Sequence, residues 1–469
     1  MSAQGDLYRP FPSAPTPDTH AGRPYQVEAS ARIFAELAEN RSTLLVMATG
    51  CHAAGQGLLM FDGTIKNVED VIVGDRLMGP DSTPRTVRAL AEGFDDMVDV
   101  VPIKGRPWRV NRDHILTLVR TNRGRGESNA GALADISVRD WQGLTRGHKH
   151  LLKLFRVGVE FSAGRALVIP PWLLGALLGD GNITSTQPTL CSVDDEIIEA
   201  IRDEAAKLDM GINVRRSKTR APTIAILAGD GGGRRGSVHP LRFYLMSVGL
   251  DGADSGSKFI PHRYKTASRK DRLDLLAGLI DTDGSPIPGG GYDYVSKSER
   301  LANDVTFVAR SLGLAAYVHP CRKGCQTGAV GTYYRVSISG DCEIVPCRLA
   351  RKRHGARTQK KSVLRTGFSV RPSGNDHYYG FTLDGDGRYL LDDFTVTHNT
   401  GKTWVGADVI SKWPGRVLWL AHRDELLQQA IGRIERQTGK RVGLEKAGDF
   451  GSTRDDVVVA SVQTLHQAG

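Results

Sequence analysis

Apolar residues along this chain recur in three patterns, and each predicts a different kind of element. Near the two ends, the runs "STLLVMATG", "GRVLWLA" and "DDVVVAS" are short and almost continuously apolar, the pattern of strands covered on both faces in a parallel sheet. The amphipathic stretch "RPYQVEASARIFAEL", entered through Pro24, precedes the first run, and helical stretches follow the first and second. Both ends therefore predict alternating β and α elements. The long middle is different. Its apolar runs are brief and broken by glycine, of which the 469 residues hold 54, above the usual ~7%, so many turns and substantial β structure are predicted. Two helical segments stand out from that background, "LLGALLGDG" (173–181) and "LAGLIDTDG" (276–284).

The first strand-like run leads into an unfinished motif. "LLVMATG", ending at Gly50, starts like a phosphate-binding loop, but Cys51 follows where Gly-Lys-Thr is needed. The missing piece stands near the other end, in "THNTGKTWVGADVI", where Thr400, Gly401, Lys402 and Thr403 run into a predicted helix. Joining Gly50 to Thr400 gives an apolar strand, a Gly-rich turn, Lys-Thr and a helix, a complete phosphate loop. Loop amides, the Lys402 ammonium and the helix N-terminus must converge on one phosphate chain. The long stretch from 51 to 399 would hold them apart, and it reads as an insert. Its borders carry the chemistry of acyl transfer along the chain. Cys51 brings the most nucleophilic ordinary side chain near neutral pH, and His398 and Asn399 stand at the rear, before the Thr400 hydroxyl.

Three stretches complete this picture: "CHAAGQGLLMFDGTIKNVEDVIVGDRLMGPD", "RPWRVNRDHILTLV" and "HYYGFTLDGDGRYLLDDFTVTHNT". In order and content they resemble the four splicing blocks of an intein, a self-excising protein with a Hint-type fold. The resemblance implies that Cys51 attacks the Gly50 carbonyl to form a thioester and that the Thr400 hydroxyl then takes over the first segment as an ester. Asn399 next cyclises onto its own carbonyl and cuts the chain, and the ester relaxes to a Gly50–Thr400 peptide bond. It also implies that His114 protonates the departing Cys51 nitrogen, that Asn111 hydrogen-bonds near the scissile carbonyl, and that His398 polarises the Asn399 carbonyl. Asn111 stands where the family more often has Thr, Gly380 where many members have Asp, and Arg388 about where His often stands. Splicing of this kind needs no cofactor.

An insert of this length is about twice what the splicing fold needs. The two helical segments head similar stretches about a hundred residues apart: "CSVDDEIIEAIRDEAAKLDMGINV" parallels "SKSERLANDVTFVARSLGLAAYV", each a charged helix turning into a strand. This internal duplication resembles the LAGLIDADG homing endonucleases, in which small residues, here Gly175, Ala176, Ala277 and Gly278, let two helices pack across a pseudo-twofold axis. The resemblance implies that Asp180 and Asp283 share Mg2+ at the base of those helices and cleave double-stranded DNA. Lys258, in "SKFIPHRY", would polarise a water or steady the phosphate charge. Its counterpart in the second repeat is open between Lys323 and Lys352.

Charge and cysteine content add little that is specific. The 62 Lys and Arg against 52 Asp and Glu give +10, a modest basic excess suited to phosphate-rich partners. Six cysteines are too sparse for a disulfide framework, and neither a signal peptide nor a membrane span is legible. A cytoplasmic monomer without membrane contact is expected. Cys321, Cys325, Cys342 and Cys347 could hold zinc or be buried as small apolar groups. The basic run 348–361 could contact the DNA backbone or be a solvated return to the splicing fold.

The flanks outside the insert resemble the first lobe of superfamily-two DEAD/DEAH-type helicases. "MATG" joined to "TGKT" is the first motif, and "LAHRDELLQQ" and "SVQTL" are the next. Gln26 would read adenine, Gly50 and Gly401 would line the loop, Lys402 would meet the ATP phosphates, and Thr403 would bind Mg2+. No Asp-Glu-x-His follows before Gly469, and nucleic acid is the implied further partner. The expected fold class is thus multidomain, an all-β Hint splicing domain with an inserted α+β LAGLIDADG endonuclease, flanked by pieces of an α/β phosphate-loop NTPase lobe. The expected boundaries are 1–50 for the leading flank, 51–165 and 361–399 for the splicing domain, and 400–469 for the trailing flank. The endonuclease would take 166–360, with repeats at about 166–255 and 256–350. Two alternatives remain at this stage: an insert whose endonuclease is degenerate and only binds DNA, and a helicase that permanently retains its insert.

Overall fold

The computed structural model describes residues 24–39, 51–121, 130–161, 166–229, 238–324, 330–357, 361–399, 409–421, 438–445 and 456–461, together with 431, 434 and 435. Gly50, Thr400, Gly401, Lys402, Thr403 and Cys325 lie outside the described residues, as do the runs "STLLVMATG" and "HRDELLQQ". Gln26 falls within the helix Pro24–Glu39.

Two antiparallel sheets are woven from opposite ends of the 51–399 stretch. One runs in the order Phe368–Leu383, His52–Ala53, Trp108–Asn111, Pro84–Pro102, Arg76–Met78. The other places Val396–His398 between Ile115–Arg120 and Arg388–Leu390, with Leu133–Ser137 and Leu152–Phe155 also pairing with Ile115–Arg120. Strands from the front and the rear of this stretch are therefore immediate neighbours, and Val98, Val100, Val110, Leu116, Leu118 and Phe381 share one apolar core.

Between them the chain builds the same unit twice. The helix Pro171–Asp180 leads to strands 181–182 and 189–191, the helix Asp195–Ala206, and strands 211–215 and 223–227. The helix Arg269–Asp283 leads to strands 284–287 and 291–296, the helix Glu299–Ser311, and strands 315–324 and 330–339. Both four-stranded sheets have the order first, second, fourth, third. The turn after each second helix needs a left-handed residue. The second copy uses Gly313 at φ 85°, the first accepts Asp209 at φ 54°, a position Asp tolerates better than most side chains.

The two lead helices cross through glycine. A Cβ on Gly175 would lie 2.2 Å from the Leu275 carbonyl oxygen, and one on Gly278 would lie 2.1 Å from that of Trp172. Neither clash can be relieved without moving backbone, so Gly278→Ala is expected to cost about 1–3 kcal/mol as an overpacking substitution. Denaturant unfolding checks this, and an unchanged midpoint would contradict so close a crossing.

The doubled unit is bolted to the strands around it. Arg156 donates to Asp393 Oδ2 at 2.6 Å and to Tyr317 OH at 3.2 Å. Burial alone would raise Asp393, but Arg156 and Arg310 outweigh it and hold the carboxyl at about 2. Phe307 stacks edge-on against Phe394 at 5.2 Å, close in sequence to Asn399.

Beyond residue 399, Val417–Ala421, Val457–Ser461 and Val442–Glu445 form a parallel sheet with the middle strand last in sequence. Phe34, ahead of the 51–399 stretch, stacks with Trp413, behind it, at 6.2 Å.

Candidate splicing and nuclease centres

At the first centre, everything is organised around His114. Cys51 is buried, and its backbone N–H donates to Asn111 Oδ1 at 3.3 Å while its carbonyl accepts from the Asn111 N–H at 3.2 Å. Asn111 in turn donates from Nδ2 to Asp95 Oδ2 at 3.2 Å. Its side chain thus grips the nitrogen side of the Gly50–Cys51 bond; the contact expected at the carbonyl of Gly50 falls outside the described residues. The turn Asn111–His114 is closed by the His114 N–H on the Asn111 carbonyl, which brings His114 to the same place. His114 Nε2 stands 2.7 Å from Thr397 Oγ1, just ahead of His398 and Asn399. The front and the rear of the 51–399 stretch thus meet at one histidine.

Asn399 is held tightly. Its N–H donates to the Gly387 carbonyl at 2.9 Å, and its Nδ2 donates to the Phe381 carbonyl. Oδ1 has no hydrogen-bond partner among the described residues. His398, fully buried, ends the strand Val396–His398 just before Asn399, paired in register with Ile115 on one side and Arg388 on the other.

Electrostatics favour neutral imidazoles here. Burial, followed by repulsion from His52 and His398, drives His114 well below its ordinary value, and burial brings His52 to about 3. The His52 and His114 rings meet edge to face at 4.7 Å, and His52 Nε2 is 2.7 Å from Tyr389 OH. A neutral His114 can take a thiol proton and return it to a departing nitrogen, which an imidazolium could do only in the second half. His52, Asp95, Tyr389 and Thr397 escaped the sequence reading. Only Thr397 carried a signal, its place in the last strand next to His398.

At the second centre, Asp180 and Asp283 close the two lead helices and are open to solvent on one side. Packed protein on the other side strips water from both and raises both. Asp283, with the Asp180 charge added and only partly offset by lysines, reaches about 6. Each helix end is capped by a buried lysine. Lys258 Nζ donates to the carbonyls of Leu177 at 2.8 Å and Gly181 at 2.7 Å, with Gly179 at 3.4 Å. Lys352 Nζ does the same for Ile280 and Asp281 at 2.8 Å and Thr282 at 3.2 Å. Lys352 is therefore the positional counterpart of Lys258, while Lys323 sits on the strand Ala315–Gly324. With their donors committed to carbonyls, these lysines offer a phosphate charge rather than a hydrogen bond. Crowding brings Lys258 down to about 8 against the pull of Asp283 and Asp180.

Lys352 reaches its position because the basic run is folded. Asp281, buried in the helix, accepts from the backbone N–H groups of Arg348 and Leu349 and from Trp172 Nε1. The Arg348 guanidinium lies 4.1 Å over the Trp172 ring, and Arg351 pairs with Asp194. Residues 348–352 are thus neither a solvated linker nor a free DNA-facing strip. The sequence signal was Asp281 itself, a carboxylate on an otherwise apolar helix face.

Two carboxylates raised by burial, one of them further by the charge of the other, fit a hard divalent cation, which relieves that repulsion. The cysteines fit zinc less well. Cys342 and Cys347 belong to the apolar core of the doubled unit, and burial pushes both thiols up to about 12. Among the described residues no three His, Cys, Asp or Glu side chains are grouped for a metal. No helix among them is long and apolar enough to cross a membrane.

Comparison with known proteins matches family models to part of each centre. Residues 51–132 match the Hom_end-associated Hint domain and residues 271–345 the LAGLIDADG-like domain. Together these two domains support an intein carrying an endonuclease. Among curated relatives, the replicative DNA helicase DnaB of Mycobacterium intracellulare is 29% identical over 52% of this chain and 39% of that protein. The homothallic switching endonuclease of Saccharomyces cerevisiae is 23% identical over 50% of this chain and 45% of that protein. The chain spans less than half the length of each of these relatives. The crystal structure of I-DmoI with DNA and Ca covers 36% of this chain and 82% of its own, at 13% identity and a TM-score of 0.25.

Proposed function

We propose that this chain is a self-splicing precursor that excises residues 51–399 and joins Gly50 to Thr400, restoring the phosphate loop of an ATP-binding helicase lobe. The observation that carries the reading is the meeting of Cys51, Asn111, His114 and the segment 397–399, drawn from opposite ends of the insert, on two interleaved sheets. Cys51 gives up its thiol proton to neutral His114 and attacks the Gly50 carbonyl. Asn111 holds the amide nitrogen that must leave, and His114 returns the proton to it. Thr400 Oγ receives the acyl group, Asn399 cyclises with release of the Thr400 nitrogen, and an O-to-N shift completes the joint. The contact between Phe34 and Trp413 across the insert and the parallel sheet behind it support a single host lobe, in which Gln26, Gly50, Gly401, Lys402 and Thr403 would take the nucleotide and its Mg2+.

The same insert, in this reading, cuts double-stranded DNA at the base of its helix pair. Asp180 and Asp283 would hold Mg2+, which when bound supplies charge stabilisation to the phosphate. The chain's own part is to set the two carboxylates side by side on glycine-packed helices and to surround them with the positive charge of Lys258 and Lys352. One chain supplies both carboxylates, so a monomer suffices. The whole host protein's activity and nucleic-acid partner are part of this proposal.

Intact-mass spectrometry of freshly expressed chain tests splicing. A full-length species that decays into one product spanning residues 51–399 and a smaller one made of the two joined flanks is expected. A stable intact mass with no product at any time would overturn the reading.

A further inference from the structure

Gly380, where intein relatives often carry Asp, lies in the strand Phe368–Leu383 opposite Ala91 and offers no side chain to the rear border. A carboxylate reaches that border from elsewhere. Arg388 pairs in register with His398, His398 with Ile115, Ile115 with Ser137, and Thr117 with Asp135. Paired residues of neighbouring strands, and residues two apart on one strand, point to the same face. Arg388, His398, Thr117 and Asp135 therefore share one face of the second sheet. Arg388 Nη2 lies 2.7 Å from Asp135 Oδ2, although the strands of His398 and of Thr117 run between them. The ion pair thus passes over His398. It is well sheltered, each side chain being 11% exposed, and Asp135 Oδ1 accepts from Thr117 Oγ1 at 2.8 Å.

From this geometry we infer that Asp135 is a positioning residue for the cyclisation of Asn399, its carboxylate orienting His398 and stabilising the positive charge that His398 takes on during the step. This rests on the splicing reading above. In that step Asn399 Nδ2 bonds to its own carbonyl carbon, the bond to the Thr400 nitrogen breaks, Nδ2 loses one proton and the Thr400 nitrogen gains one. His398 relays that proton, and no other reactant is consumed. The logic is that of any imidazole base held by a third group. Burial by itself would raise the Asp135 carboxyl, but His398 and Arg388 outweigh it and hold it below its ordinary value, so it stays ionised beside the imidazole. Among the described residues, Arg388, steadied by Asp386 at 3.4 Å, and His114, which His398 repels, also act on His398. A carboxylate on this face also offsets the cost of burying a positive His398 near His114.

The test follows both cleavages in the same full-length molecule. Asp135→Asn is expected to slow cleavage after Asn399 on the order of 10²-fold or more, while thiol-induced cleavage at Gly50–Cys51 stays within about twofold of wild type, which also reports that the fold is intact. Asp135→Glu is expected to recover much of the lost rate, which a merely structural carboxylate in a tight site would not do. Cleavage after Asn399 at the wild-type rate in Asp135→Asn would overturn the proposal, as would equal slowing of both cleavages without rescue by Glu. If wild type itself cleaves at neither border, the splicing reading falls and this proposal with it.

Discussion

A chain carrying both Cys51→Ala and Asn399→Ala is expected to be recovered at its full 51.0 kDa, with ligation abolished rather than slowed. The reason lies in the two bonds that must break. Amide cleavage at Gly50 needs a nucleophile inside the chain, and Cys51 is the one whose backbone is pinned by Asn111 within the His114 site. Cleavage after Asn399 needs a side-chain amide next to the bond, and alanine has none. The single variants separate the steps. Cys51→Ala alone should still allow the cut after Asn399, releasing the trailing flank without joining it. Asn399→Ala alone should accumulate a thioester that added thiol cleaves at Gly50. Positioned acid–base groups such as His114 contribute roughly 10²- to 10⁴-fold, so their loss slows the reaction, whereas loss of either reacting group ends it. Ligated product from the double variant, read by intact mass, would contradict this assignment.

The second large effect belongs to the helix pair. Asp283→Asn is expected to lower double-strand cleavage of a duplex carrying the joined host-gene sequence by ~10³-fold or more while leaving DNA mobility shift intact. A cation's charge stabilisation is worth several kcal/mol, and every step of about 1.4 kcal/mol is tenfold in rate. Asparagine keeps the volume, so the glycine-packed helices should not move. The pH dependence follows from the raised carboxyl of Asp283. Below about 6 it is protonated, and a cation must displace that proton. Affinity for Mg2+ should therefore fall as pH drops through 6, by up to tenfold per unit, and level off above about 7, where the group is already ionised. Calorimetric titration with Mg2+ at pH 5 and pH 7.5 checks this. Equal affinities would show that Asp283 is not a ligand.

How much of this was legible in the sequence depended on whether a feature was local. The Gly-Lys-Thr fragment, the Cys51 border and the duplicated "GDG" and "TDG" ends each occupy a few consecutive residues, and the chemistry they need is written in residue type. The close helix crossing was also legible, because only glycine avoids the 2.1–2.2 Å clash that a Cβ would make with the facing backbone. What sequence alone could not supply were side chains brought in by long-range pairing. Asp135 in "ALADIS" and Asp95 in "GFDDMV" belong to no motif, and become part of the site only because strands from the two ends of the insert are laid side by side. Lys352 was hidden for a different reason. It sits in a basic run that reads as a solvated strip, and only the buried carboxylate of Asp281 on the helix Arg269–Asp283 folds that run back onto the helix end. For the cysteines, spacing allowed a metal, but Cys342 and Cys347 are packed into the core.

The central claim is that a new peptide bond forms between Gly50 and Thr400. Tandem mass spectrometry of a tryptic digest of the small product tests it directly, because cleavage at Arg41 and Lys402 would release a peptide running Ser42 to Gly50 and straight on through Thr400, Gly401 and Lys402. Fragment ions reading Ala-Thr-Gly-Thr-Gly-Lys across the joint are the expected result. Finding Gly50 only as a free C-terminus or still bonded to Cys51, in protein that has lost residues 51–399 or kept them, would contradict the account.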